Sequence, residues 1–299
     1  MSVIAPQPIT AGLPPHRVVA GMPQLSRNGL SENWLLKECG HRHWLMLADS
    51  FGLSTPEFRD RDGGKLYATF TGVSVRDARL DRVEEHDPLL FDGDIGRVSR
   101  TQYQSVQRIS VAGQTVATVA MVSIFLRRAA PGDNRSVLRA LPARAPVGME
   151  DADPGEPLAG LTLRFRRGTW ERHRGFDQGA GRTLGEVALL PCPHGDFNGA
   201  GFLYFASFQS FVDRAEWALL RERSAPLVTA ERELFYYGNI NPGDTLTVRL
   251  CGERPESARL THWFAIVRDS DGQRIADAFT TRRTVHAAVG IATSRPSTR

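Results

Sequence analysis

The run "FLYFASFQSFVDRAEWALL" carries the clearest periodic signal in the chain. Phe205, Phe208, Val212, Ala215 and Leu219 step by three and four, so they share one face of an α-helix. Phe202, Ala206, Phe211 and Trp217 add apolar bulk off that stripe, and a helix apolar on most sides is a buried one. A second run, "ENWLLKECGHRHWLMLADSFG", has a similar length and a weaker stripe through Leu35, Cys39 and Met46, beside Leu36, His43 and Leu47; Gly52 suits its C-terminal stop. Segments rich in β-branched and aromatic residues follow each helix and read as strands. In the first half they are "LYATFTGVSV", "VSRTQYQSVQRI" and "TVATVAMVSIFL"; in the second, "ERELFYYGNI", "TLTVRL", "RLTHWFAIV" and "RIADAFTTRRTV".

The two halves share anchors. Pro23, Asn28, Gly29 and Trp34 fall opposite Pro193, Asn198, Gly199 and Tyr204, each pair 170 positions apart. Later, Gly113-Gln114 matches Gly272-Gln273, with an Asp-Gly hairpin signal at Asp271-Gly272. A repeat of this kind decides the architecture before any single motif does. The expected layout is an extended segment 1–15, a first unit 16–130, a linker 131–157 rich in Pro, Gly, Asp and Arg, a second unit 158–290 and a tail 291–299. Each unit is one long helix followed by antiparallel strands, an α+β arrangement whose two sheets are expected to be continuous.

With 299 residues, 41% apolar and 23% charged, the composition is that of an ordinary folded protein. Net charge is +4, driven by arginine over lysine, with the arginines scattered singly and in pairs. That argues against a nucleic-acid groove, although Arg127-Arg128, Arg166-Arg167 and Arg282-Arg283 are suited to phosphate. Three scattered cysteines without a CxxC spacing predict neither a disulfide framework nor a zinc site. The N-terminus lacks the pattern of a secretory signal, and "TVATVAMVSIFL" is too short to span a bilayer, so a cytoplasmic protein is expected. His41 and His43 lack ligand spacing, and no Gly-rich nucleotide loop occurs.

A turn, a buried helix and a curved antiparallel sheet, present twice, resemble a tandem (double) hot-dog fold. "HGDFNGAGFLYFASF" resembles the helix start of hot-dog acyl-CoA thioesterases. Over most of the chain, "GMPQLSRNGLSENWLLKECGHRHW", "YATFTGVSVR", "FLYFASFQSFVDRAEW" and "LFYYGNINPGD" resemble the double hot-dog acyltransferase/decarboxylases of polyketide biosynthesis, of which the leinamycin-type enzyme is the best known. The resemblance implies decarboxylation of methylmalonyl-CoA and transfer of the propionyl group to the phosphopantetheine of an acyl carrier protein. It implies no cofactor or metal beyond the substrate thioester, allows a homodimer, and puts an acyl-accepting tyrosine at Tyr67.

The residues fit that chemistry. Where hydrolytic hot-dog enzymes carry a carboxylate, this chain has Asn198, and by the repeat Asn28. An amide is no general base, but its NH₂ can donate to a developing oxyanion. Loss of CO₂ from a malonyl-type thioester needs no base; it needs donors on the thioester oxygen as it becomes an enolate. Asn28 is the favoured copy, because Ser31 and Glu32 follow it; Gly29, Leu30, Ser31, Glu32 and Gly199 are the expected substrate contacts. Asn-Gly before a helix is also a common turn and cap. Tyr67 is a nucleophile, a hydrogen-bond donor or a proton source, or a core tyrosine with a satisfied hydroxyl. A thioesterase or dehydratase is the alternative if His194, Asp196 or Glu32 faces the pocket. A non-catalytic carrier-protein-binding protein is the alternative if side chains fill it.

Overall fold

The computed structural model describes residues 13–180 and 182–285, so most of the expected extended segment and the whole tail lie outside the described residues. Twelve strands form one antiparallel sheet, ten of them in a single succession, and two short hairpins stand apart from it. From one edge these are His16–Val19, Pro88–Ser99, Gln102–Val111, Gln114–Arg128 and Lys65–Arg76. The succession continues through Leu227–Tyr236, Arg274–Thr284, Arg259–Arg268, Leu246–Glu256 and Gly185–Leu189. The second five mirror the first. In each half the first long strand after the helix sits at the centre, and the halves join where Val73 lies opposite Leu234 and Val75 opposite Arg232. The hairpins at Gly113 and Gly272 hold equivalent places, both glycines having positive φ.

Helices α1 (Glu32–Ser50) and α3 (Phe205–Leu220) pack on one face of this sheet and on each other. Alternation along the strands sends Val73, Val75, Met121, Leu234 and Phe264 to that face, against Leu35, Leu36, Phe208 and Phe211. Gly40 sets the helix crossing, since a Cβ there would lie 2.6 Å from the Phe205 ring. Asn33 Nδ2 fixes the contact by donating to the Ala206 carbonyl at 2.8 Å. The periodic run predicted a helix from Phe202, but α3 begins at Phe205. The N–H groups of Phe202, Leu203 and Tyr204 are taken by Asn198, Asn239 and the Asp196 carbonyl, which holds them out of the helix.

The opposite face is covered by α2 (Leu158–Arg167), an element the apolar pattern does not reveal. Phe165 stacks on Phe235 with centroids 3.9 Å apart, and Trp170, Trp263 and Phe279 complete this second core. Because α2 packs on Lys65–Arg76 and Leu227–Tyr236 alike, it bridges the halves. The 131–157 segment also does more than link: Val137–Arg139 pairs with the end of the Gln114–Arg128 strand.

One buried polar device ties α1 to the sheet. His43 bonds Ser105 Oγ through Nδ1 at 2.7 Å and Ser123 Oγ through Nε2 at 2.8 Å. Burial pushes its pKa down to about 3, so the ring is neutral in the fold. A base held below its unfolded value of about 6.5 stabilises fully above that pH and loses its contribution as pH falls toward 3. Stability should therefore drop below about pH 6.5, and His43→Gln, followed by urea midpoints from pH 7 to 4, should show a flatter slope. An unchanged slope would show that other groups carry the acid response.

Candidate active site

A cavity of about 630 Å³ opens between the halves. Its wall is built from Lys37 and Trp44 of α1, the Lys65–Phe70 stretch, the loop around Asn198–Leu203, the start of α3 and Asn239. Tyr67 and Asn198, from opposite halves, both line it. Among the described residues lining it there is no Asp, Glu, His or Cys.

Tyr67 sits opposite Leu126 in the ladder, so Arg128, two residues on, lies diagonally across on the same face. Arg128 Nη1 donates to the Tyr67 phenol oxygen at 3.3 Å, leaving the phenolic proton for another acceptor. The same guanidinium lies 3.9 Å from the Phe202 ring centroid and donates to the Ala200 carbonyl at 2.6 Å. Asn134, buried, accepts from Arg128 through Oδ1 at 2.7 Å and donates to the Gly201 and Ile240 carbonyls. Arg128 and Asn134 thus hold the Asn198 loop beside Tyr67. The other cavity tyrosines are differently placed: Tyr236 donates to the Phe205 carbonyl at 3.2 Å, and burial, aided by Glu38, pushes Tyr204 up to about 12.

Asn198 organises its own loop. Its Oδ1 accepts from the Ala200 N–H at 3.0 Å and the Phe202 N–H at 3.1 Å, an Asx-type turn. With Oδ1 committed, the amide's NH₂ is what remains for a ligand. Gly199 lines the cavity, with open space where a Cβ would project. Helix α3 begins here without a side-chain cap, and Tyr204 and Phe205 at its start line the cavity. Asn239 clamps Leu203 on both sides, accepting its N–H at 3.0 Å and donating to its carbonyl at 3.2 Å.

The sister position at α1 is built for stability. Asn28 lines a separate cavity of about 350 Å³ and does not meet Tyr67. Gly29 has φ +91°, and a Cβ there would lie 2.1 Å from the Leu80 carbonyl; it admits backbone, correcting the expectation that it admits substrate. Leu30 is core, and Ser31 Oγ caps α1 by accepting the Trp34 N–H at 3.3 Å. Glu32 is buried, accepting from Arg232 Nε at 2.5 Å and Thr229 Oγ1 at 2.6 Å. The network runs on: Arg232 donates to Asp213 at 2.6 Å, Arg282 to Asp213 at 2.7 Å and Glu216 at 2.8 Å, and His262 meets Glu216 at 2.9 Å. Burial alone would raise the Glu216 pKa, but Arg282 and His262 drive it well below the carboxylate range.

His194 is exposed and lines no part of the main cavity. The Asp196 carboxylate accepts from the Cys192 N–H at 2.7 Å. Of the arginines suited to phosphate, Arg128 and Arg282 are engaged as described, Arg166 donates to the Tyr236 carbonyl, and Arg283 pairs with Asp81. Sequence reasoning missed Asn239 and the Arg128–Asn134 pair. The "YGNINPG" stretch held the first signal, a polar amide between turn residues.

No family model matches this sequence, and no curated protein does either. Solved structures do. The chain is similar to an acyl-ACP thioesterase from Bacteroides thetaiotaomicron at 10% identity and TM-score 0.61, covering 90% of this chain and 97% of that one. It is also similar to the 12:0-ACP thioesterase from Umbellularia californica, at 10% identity and TM-score 0.64, covering 92% and 94%. The fold is a double hot-dog: two long helices wrapped by one continuous antiparallel sheet. At such identities the likeness defines the fold and leaves the reaction to the site.

Proposed function

We propose that this protein is an enzyme acting on acyl thioesters, and that its reaction is decarboxylation of a malonyl-type thioester followed by acyl transfer. One observation carries the reading: the cavity pairs a tyrosine with an amide and an uncapped helix N-terminus, and its described lining offers no carboxylate, histidine or thiol. Hydrolysis by activated water calls for a base, whereas loss of CO₂ calls for stabilisation of the charge that develops. The electrons of the breaking C–CO₂ bond enter the thioester as an enolate, whose oxygen is met by the Asn198 NH₂. A proton from solvent water adds at Cα and leaves the propionyl or acetyl thioester. The Tyr67 oxygen then attacks the carbonyl, the coenzyme A thiol departs with the phenolic proton, and the acyl group passes to the phosphopantetheine thiol of an acyl carrier protein.

Two of the neighbours are named acyl-ACP thioesterases, which favours hydrolysis as the second reading. Incubation with malonyl- and methylmalonyl-CoA separates the two. The expected result is CO₂ release and a propionyl or acetyl mass added to the holo carrier protein. Free coenzyme A and free acid without CO₂ would overturn decarboxylation in favour of hydrolysis. Tyr67→Phe should abolish carrier loading, and intact-protein mass spectrometry should find an acyl adduct on the parent enzyme alone. An adduct that persists in the Phe variant would remove Tyr67 as the nucleophile.

A further inference from the structure

The chain contains only two lysines, Lys37 and Lys65, against thirty-five arginines. Both line the same cavity, although its wall uses under a tenth of the residues. Both are exposed, one from α1 and one from the central strand of the first half, so they stand at the rim. Among the described residues neither ammonium has an ion pair or side-chain hydrogen bond; Lys65 Nζ lies 5.6 Å from the Tyr67 ring centroid. Among the described residues of the wall, these two lysines are the charged side chains.

The difference between the two cations is physical. An arginine beside this aromatic wall stacks, as Arg128 does on Phe202. An ammonium on a flexible stem is a rotatable point charge that follows a mobile anion. Positive side chains at the exposed mouth, with Tyr67 and Asn198 also on the wall, fit a substrate whose reactive end reaches inward and whose other end is anionic. Resting on the acyl-thioester reading above, we propose that Lys37 and Lys65 recognise the phosphate at the end of a phosphopantetheine arm. That group is shared by coenzyme A and a holo carrier protein.

The test compares acyl thioesters of coenzyme A, of the holo carrier protein and of phosphate-free pantetheine. It uses the parent enzyme, Lys37→Gln, Lys65→Gln and the double variant. The preference for the phosphorylated arm, read as the ratio of kcat/KM to that for pantetheine, should fall about three- to tenfold for each lysine, mainly through KM. Loss confined to the coenzyme A thioester, or to the carrier-bound one, would support the proposal and identify that source. A ratio equal in all four proteins would overturn it. Should the parent enzyme turn over none of these thioesters, the functional reading fails, yet calorimetric titration with 4′-phosphopantetheine and pantetheine still decides the lysines. A binding preference for the phosphorylated arm that vanishes in the double variant supports them. No preference in the parent protein, or one that survives, overturns them.

Discussion

Asn198→Asp should slow CO₂ release from a malonyl-type thioester by about 10²–10³-fold, the usual worth of one oxyanion donor. The substitution suits the geometry because it keeps an oxygen where Oδ1 accepts the Ala200 and Phe202 N–H groups. The loop therefore stays folded, while the NH₂ that faces a ligand becomes a second, negative oxygen. Repulsion of the enolate adds to the lost hydrogen bond. The lost donation itself should act on the rate more than on affinity, since the donor matters most when charge develops. Asn28→Asp is the control: in its separate cavity it should alter the rate less than about threefold, within the range of a surface change. Stopped-flow CO₂ detection with both variants checks this. If the natural reaction is hydrolysis, the sign reverses, because the introduced carboxylate supplies the base that attack by water requires. A large loss at Asn28 with none at Asn198 would move the site to the other helix.

Arg232→Met should cost about 3–5 kcal/mol of folding stability, the typical penalty for stranding a buried charge. The guanidinium is fully enclosed and serves Glu32 and Asp213 together, so its loss leaves the buried Glu32 carboxylate with Thr229 as its side-chain hydrogen-bond donor and Arg282 acting on it at longer range. Combining it with Glu32→Gln should restore part of the loss, since the uncompensated charge is then gone. Urea unfolding of the two single variants and the double variant gives the coupling directly. The folded fraction of Arg232→Met should retain its turnover number, because the network does not border the main cavity. A turnover loss larger than the loss of folded protein would mean that the network feeds the site. Losses that simply add would mean that Glu32 and Arg232 do not stabilise each other.

Much of this fold could be read from periodicity. The stripe through Phe205, Phe208 and Val212 placed one long helix, and the paired glycine hairpins placed matching strand pairs in the two halves, while the order of strands in the sheet came only with the structure. Helix α2 escaped because its buried positions, Leu158, Thr162 and Phe165, are few and sit among arginines that read as solvated. The lining of the candidate cavity was half legible. Tyr67 and Asn198 were both named, yet nothing local says that they meet; the pairing of the two central strands brings their halves together. The choice between the asparagines turned on Glu32, whose partner Arg232 is 200 residues away. A glutamate on a first helical turn looks the same in sequence whether it greets a ligand or an arginine.

The mirrored order of the sheet carries a further consequence. Two identical chains sharing one sheet would have to write every change twice, once at each helix start. Here the matching ends belong to one polypeptide, and each can be rewritten alone. One end was given an ion network that locks the halves together, the other an uncapped helix above a hollow. On the proposed function, stability and reactivity, which compete for the same residues in a symmetric pair, fall at different addresses. Excising either half would therefore break the clamp and open the cavity wall at once.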